Sequence, residues 1–305
     1  MDLSTIDSWD LGYRGTHDRH RLADDCELYF ELEGDGPCLT FVSTIYVVST
    51  AWRNFTRSLA ASHQLLTYDL RNQGASSGPA RGFDQHVDDL ASLLDHLEIE
   101  RTYLIGSSIS TVICRDFAVA HPDRVAGLIL VGPPFSAWGS KRRTRITRSW
   151  LATLKIGGPK QLFDTIYPLV FGDYAQSVGG TATYLALRER FLAINSAAQL
   201  EANLTDALQT HDDVAMLPQV MAPTLLICGD DDFCVSPSGL HATAQMMPDA
   251  TVEIFDRCGH LPFFEHTAKF ESVLGNFVAS VEQRDRGVLN PESTEREDAT
   301  IDNPR

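Results

Sequence analysis

Strands and helices alternate along this 305-residue chain, which predicts an α/β protein with a mostly parallel central sheet flanked by helices on both faces. Three observations carry that expectation. Short apolar runs recur, each suited to a strand buried on both sides. Amphipathic helical patterns stand between them. From Phe135 to Pro218 the strands lapse and only helical patterns remain. A helical insertion at that point would lie as a cap over the carboxyl edge of the sheet, where such sheets take up ligands. The expected division is a core of residues 1–134 and 219–282, a helical cap of 135–218, and a disordered polar tail of 283–305.

The elements follow in order. Arg21 to Leu32 reads as a strand pair turning near Asp24-Asp25, and Leu39-Thr40-Phe41-Val42 as a buried strand. A helix is expected from Ala51 to Ala61, then a strand at Leu65–Asp69 and a turn-rich loop at Asn72–Pro79. Phe83, Val87, Leu90, Leu93, Leu94 and Leu97 recur at three- and four-residue spacing, which places them on one helix face. Arg101–Gly106 is a strand ending in a tight turn, and Thr111–Ala120 a helix stopped by His121-Pro122. Leu128–Val131, Thr224–Cys228 and Thr251–Phe255 complete the strands, with a helix between the last two. A final amphipathic helix carries Phe270, Val273, Leu274, Phe277 and Val278.

The composition is that of an ordinary globular protein, 43% hydrophobic and 22% charged. A formal net charge of -16 disfavours nucleic acid and anionic membranes as partners, since both would be repelled at long range. The N-terminus shows no basic flank followed by an apolar run, and no apolar stretch reaches the about eighteen residues of a membrane span. The 6 cysteines lack C-x-x-C spacing and several lie in strand-like runs, as reduced core residues do. A cytoplasmic protein without metal or cofactor is expected: no Gly-rich phosphate loop and no metal-spaced histidine pair is present.

Three residues carry the chemistry. Ser108, in Gly106-Ser107-Ser108-Ile109-Ser110, falls between a strand and a helix. A serine on so sharp a turn projects its hydroxyl above the sheet edge, and the helix behind it points its positive end at the same spot. Asp232, in Gly229-Asp230-Asp231-Asp232-Phe233, and His260, in Cys258-Gly259-His260-Leu261-Pro262, each follow a strand and so share that edge. Serine needs an imidazole to take its proton, and the imidazole needs a carboxylate to fix its tautomer. Taken singly, the serines would pass as helix caps, the aspartates as a solvated turn and the histidine as a structural residue. Their arrival at three strand ends in the order Ser, Asp, His favours a triad.

Tyr68-Asp69-Leu70-Arg71, Gly106-Ser107-Ser108, Gly229-Asp230-Asp231-Asp232 and Gly259-His260-Leu261-Pro262 together resemble the α/β-hydrolase superfamily, over about residues 20 to 280. The resemblance implies Ser108 as nucleophile, His260 as base and, three residues after the glycine, Asp232 as acid. It also implies an oxyanion hole from the amides of Ile45 and Ile109. The chain departs from the family pattern at three places. Ser43-Thr44 replaces the usual His-Gly, Arg71-Asn72-Gln73-Gly74 replaces Arg-Gly-His-Gly, and Ser110 replaces the second elbow glycine. Tyr46 and Ser107 are expected in the substrate pocket.

The function so implied is a serine hydrolase acting on an ester or thioester of a small to medium apolar acyl group, in specialised or secondary metabolism. Acyl transfer, carbon–carbon bond hydrolysis, lyase or cyclase chemistry on the same scaffold is an alternative, and a non-catalytic ligand-binding protein another. Lys141, Arg142, Arg143, Arg145 and Arg148 cluster at the start of the cap. They would form either a solvated helix face or a docking patch for an acidic acyl-carrier protein.

Overall fold

The computed structural model describes residues 3–14, 18–210 and 214–289. Its strands are β1 (Arg19–Arg21), β2 (Glu27–Glu33), β3 (Cys38–Val42), β4 (Gln64–Tyr68), β5 (Thr102–Ser107), β6 (Val125–Val131), β7 (Thr224–Gly229) and β8 (Ala250–Phe255). They form one eight-stranded sheet of order β1-β2-β4-β3-β5-β6-β7-β8. β1 and β2 pair antiparallel across the turn that contains Asp25, and β2 runs antiparallel to β4; from β4 to β8 every pairing is parallel. Every residue of β3, β5, β6 and β7 is buried, as expected of parallel strands with helices on both faces.

The helices are, in chain order, α1 (Leu3–Asp7), α2 (Ser49–Trp52), α3 (Gln85–His96), α4 (Ser110–Ala120), α5 (Lys141–Val170), α6 (Asp173–Ile194), α7 (Ala197–Ala207), α8 (Pro237–Ala244), α9 (Pro262–Glu265) and α10 (Thr267–Leu289). The pleat divides the apolar side chains between two cores. Leu104, Leu128 and Leu130 face one, with Leu90 and Leu94 of α3 and Phe117 of α4. Ile105, Ile129 and Val131 face the other, with Trp52 of α2 and Phe270 and Leu274 of α10.

Between β6 and β7 lie α5, α6 and α7, with α5 packed on both of the others. Two breaks shape them. Gly158 (φ 70) precedes Pro159 and interrupts α5, and Gly180 (φ 63) interrupts α6. Left-handed backbone at a glycine costs little, and proline cannot donate to the turn before it.

Two local expectations are corrected. The helix foreseen from Ala51 to Ala61 is only α2, turns, and a 3₁₀ turn at Leu59–Ala61. Here Asn54 Nδ2 donates to the Ala51 carbonyl and Thr56 Oγ1 to that of Trp52, so side chains compete for the acceptors a helix would use. At the other end α10 runs past residue 283 to Leu289. Arg284 pairs with Asp249 at 3.0 Å and Asp285 with Arg101 at 3.0 Å, which ties the extra turn to the core. Residues 290–305 of the expected tail lie outside the described residues.

Candidate active site

Ser108 sits at the turn between β5 and α4 with φ 54, left-handed for a residue that has a Cβ. Such backbone persists only where its surroundings over-determine it. Ser108 N–H donates to the Val131 carbonyl at 2.8 Å, and Thr111 Oγ1 donates to the Ser108 carbonyl at 2.6 Å. Ser110 accounts for the missing glycine. Its Oγ accepts from Ser107 N–H and donates to Ser107 C=O, both at 2.9 Å, so a small polar side chain closes the turn from within. Neither serine caps α4. Gly106 is the tight point, because a Cβ there would lie 2.7 Å from Cys114 Sγ on the first turns of α4.

The three consecutive aspartates after β7 do three different things. Asp230 accepts from Cys258 N–H at 3.0 Å and holds the loop that carries His260. Asp231 accepts from Asp173 N–H at 3.0 Å, reaching the start of α6. Asp232 turns inward: its carboxylate meets His260 Nδ1 at 3.0 and 2.9 Å and accepts from the amides of Cys234 (2.6 Å) and Val235 (3.2 Å). A carboxylate so held fixes the imidazole with its Nε2 turned away. That Nε2 is buried without a hydrogen-bond partner among the described residues. The Phe233 ring packs edge-on against the imidazole at 4.8 Å.

Two residues that the sequence did not flag support the pair. Gly132, directly after β6, has φ 55, and a Cβ there would stand 2.6 Å from His260 Cε1 and 3.0 Å from Asp232 Oδ2. Glu265 of α9 accepts from Gly259 N–H at 3.0 Å and Gly172 N–H at 3.3 Å, while His260 N–H donates to Val170 C=O at 2.8 Å. The histidine loop is thereby tied to the junction between α5 and α6. Burial pushes the Glu265 carboxyl up to about 7.

Ser108 lies where two cavities meet. The larger, of ≈ 110 Å³, is lined by Ser108 and His260 from the core and by aromatic and aliphatic side chains such as Trp150, Phe163, Tyr167 and Phe191 from α5 and α6. A dry cavity of roughly 150 Å³ holds benzene, so this one suits a short chain or a small ring. Among the described residues that line it, Arg190 is the only arginine, lysine or carboxylate. The smaller, of ≈ 40 Å³, is lined by Ile45, Ile109, Pro134, Arg143 and Phe233. Thr44, Tyr46, Ser108 and Trp150 line both.

The loop after β3 is held from several sides. Thr44 and Val47 exchange backbone hydrogen bonds at 3.2 Å, Ser43 Oγ donates to Tyr68 C=O at 2.6 Å, and Gln73 Nε2 donates to Thr44 C=O. The N–H groups of Ile45 and Ile109 have no protein acceptor among the described residues. Tyr46 lies between Trp150 (5.8 Å) and Phe191 (5.9 Å), its hydroxyl buried and unpartnered and held protonated by burial.

Other expected site residues are placed differently. Ser107 lines neither cavity: as the last residue of β5 it is fully buried, its Oγ without a hydrogen-bond partner among the described residues. In the basic cluster, Lys141, Arg142, Arg145 and Arg148 are exposed. Arg143 is not. It is buried, donates to Ala207 C=O at 3.4 Å and Ser140 Oγ at 3.1 Å, bonds Thr210 Oγ1, and lines the smaller cavity. Helical spacing turns one of the five inward, toward α7.

Cys26, Cys38, Cys114, Cys228, Cys234 and Cys258 are all free, and burial raises every one of these thiols, Cys228 to about 12. They are poor nucleophiles in this state. Among the described residues no three His, Cys, Asp or Glu side chains gather where a metal could be held, and no helix is long and apolar enough to cross a membrane.

A serine at a left-handed strand–helix turn and an imidazole fixed by a carboxylate line one cavity at the carboxyl edge of a mostly parallel sheet, an arrangement of the α/β-hydrolase class. The chain belongs to the alpha/beta hydrolase family, whose model matches residues 38–273. It is 28% identical over 258 residues to the 2-hydroxymuconate semialdehyde hydrolase of a Pseudomonas species, covering 82% of this chain and 86% of that protein. It is 30% identical over 249 residues to a 2-hydroxy-6-oxononadienedioate/2-hydroxy-6-oxononatrienedioate hydrolase of Paraburkholderia xenovorans, covering 76% and 83%. A thermophilic esterase of Thermogutta terrifontis has the same fold, with a TM-score of 0.75 at 23% identity, covering 87% of this chain and 97% of the esterase.

Proposed function

We propose that this hydrolase cleaves an ester or thioester of a small to medium apolar acyl group through an acyl-enzyme on Ser108. The observation that carries this reading is the partnerless Nε2 of His260, whose other ring nitrogen is occupied by Asp232 and whose ring lines the same cavity as Ser108. Ser108 Oγ attacks the carbonyl carbon as its proton passes to His260 Nε2. The carbonyl electrons move onto oxygen, and the Ile45 and Ile109 amides receive that oxyanion. The C–O or C–S bond then breaks and the leaving group takes the proton from His260. Water, deprotonated by the same nitrogen, attacks the acyl-enzyme and returns free acid and Ser108. Two chambers meeting at Ser108 suit this sequence, the larger and more apolar holding the acyl chain and the smaller the leaving group. An acidic carrier presenting the thioester would meet Lys141, Arg142, Arg145 and Arg148.

A fluorophosphonate probe, read by intact mass and peptide mapping, tests the reading. One adduct on Ser108, absent from Ser108→Ala, is expected; an unlabelled folded protein would overturn it.

A second reading, carbon–carbon bond hydrolysis, draws on Arg190. A cation in an otherwise apolar chamber suits a carboxylate, and the Paraburkholderia relative is named for a dienedioate. Turnover of such a substrate that survives Ser108→Ala would favour this reading and a base-only role for His260.

A further inference from the structure

The wall of the larger cavity is not made by core and cap alone. Trp9 and Leu11 line it together with Ser108 and His260, yet both precede the family-matched stretch of residues 38–273. They belong to a strap, residues 3–14, that begins with α1 and continues without helix or strand from Trp9.

The strap is anchored at both ends. Ile6 of α1 is fully buried, and α1 packs on α6 of the cap. Beyond Trp9 the anchor is Arg53, itself buried: Nη1 pairs with Asp10 at 2.8 Å, Nη2 donates to Gly12 C=O at 2.7 Å, and Nε donates to Glu31 at 2.6 Å. Asn54 brackets the Asp10 backbone, accepting from its N–H at 3.1 Å and donating to its C=O at 3.2 Å. Thr50 Oγ1 donates to Leu11 C=O at 3.1 Å. A charged side chain buried against two carboxylates and a carbonyl is costly to expose, so the strap is held as a fixed part of the chamber.

Between these anchors the Trp9 indole stands edge-on to Phe55 (5.4 Å) and to Phe264 (5.2 Å). Phe264 lies four residues beyond His260 and packs on Phe171 at the end of α5 (5.9 Å). The indole therefore fills the joint between the histidine loop, the core and the cap.

We propose that Trp9, with Leu11 beside it, is a specificity-determining wall that sets the longest apolar chain the chamber accepts. The proposal rests on the reading of this cavity as the acyl chamber. Each additional buried methylene is worth about fourfold in binding. Removing the indole would admit two or more further methylenes, so Trp9→Ala raises the preference for long over short chains by about sixteenfold or more, and Trp9→Phe falls between.

Two measurements on the full chain test this. The first compares kcat/KM across p-nitrophenyl esters from acetate to decanoate for wild type, Trp9→Ala and Trp9→Phe. The second measures binding of free fatty acids from hexanoate to tetradecanoate by calorimetry, which needs no turnover. A shift of the length optimum toward longer chains in Trp9→Ala, with Trp9→Phe intermediate, is expected in both. If the variant melts within a few degrees of wild type and its length profile is unchanged in binding, the proposal falls. If no ester is turned over and no fluorophosphonate adduct forms while the binding profile shifts, the strap stands and the esterase reading fails.

Discussion

Gln73 donates its side-chain amide to the backbone carbonyl of Thr44. These are two of the three places at which the chain departs from its family's pattern, and they touch. With His-Gly replaced by Ser43-Thr44, the loop that presents the Ile45 N–H loses a flexible residue and gains a clamp, since Gln73 Oε1 also accepts from Leu70 N–H at 3.2 Å. Gln73→Leu keeps the bulk and removes the donor. If the Ile45 amide receives the oxyanion as proposed, the contact acts in the transition state, and kcat should fall about ten- to hundredfold on the best ester with KM little changed. An unaltered kcat would mean that the Ser43 and Val47 bonds hold the loop alone.

Gly132 is the second position at which one atom decides the outcome. A methyl group there would lie 2.7 Å from His260 Nδ1 and meet a backbone at φ +55. Left-handed backbone alone costs roughly 1–2 kcal/mol at a non-glycine residue, and the collision must displace His260 or Asp232. Misplaced by about an ångström, a general base loses about a hundredfold in rate. Gly132→Ala should therefore slow fluorophosphonate labelling of Ser108 about a hundredfold, while Gly158→Ala, with open space around it, leaves labelling unchanged. Equal labelling of both variants would contradict the tight packing.

What the sequence made legible divides along a physical line. β3, β5, β6 and β7 were readable because strands buried on both faces must be apolar throughout. The shared edge of Ser108, Asp232 and His260 was readable because a parallel sheet brings successive strand ends to one edge. The fate of Asn54 and Thr56 was not, since a helix and a series of turns share the same apolar positions there. Nor could the pattern say that Arg143 points inward, for that depends on where α7 lies. Gly132, Trp9, Arg190 and Glu265 matter through contacts with residues far along the chain, and nothing beside them in sequence signals those partners.

Glu265 makes stability depend on pH in a definite direction. Burial raises its folded-state pKa from 4.5 to about 7, so between those values the folded protein binds a proton that the unfolded chain releases. Stability therefore falls as pH rises through that window and is level above it. Urea denaturation of wild type and Glu265→Gln at about pH 5 and about pH 8 should differ in this slope by on the order of 1–3 kcal/mol, the variant losing less. Parallel slopes would mean that the carboxyl titrates normally.

Arg190 offers a test of what the chamber was built to receive. No ion pair with a described residue engages it, and it is the lone arginine, lysine or carboxylate among the described lining residues. A guanidinium reaching between apolar walls would be satisfied best by an anion on the ligand. Arg190→Met keeps the apolar stem and removes the charge. Its effect is read on two substrates, p-nitrophenyl butyrate and the half-ester p-nitrophenyl hydrogen glutarate, which differ by a terminal carboxylate. If Arg190 receives that carboxylate, kcat/KM for the half-ester falls about tenfold, mostly through KM, and the butyrate is unaffected. Equal losses on both would assign Arg190 to the packing of α6, and the second carboxylate of a dioic substrate would then need another partner.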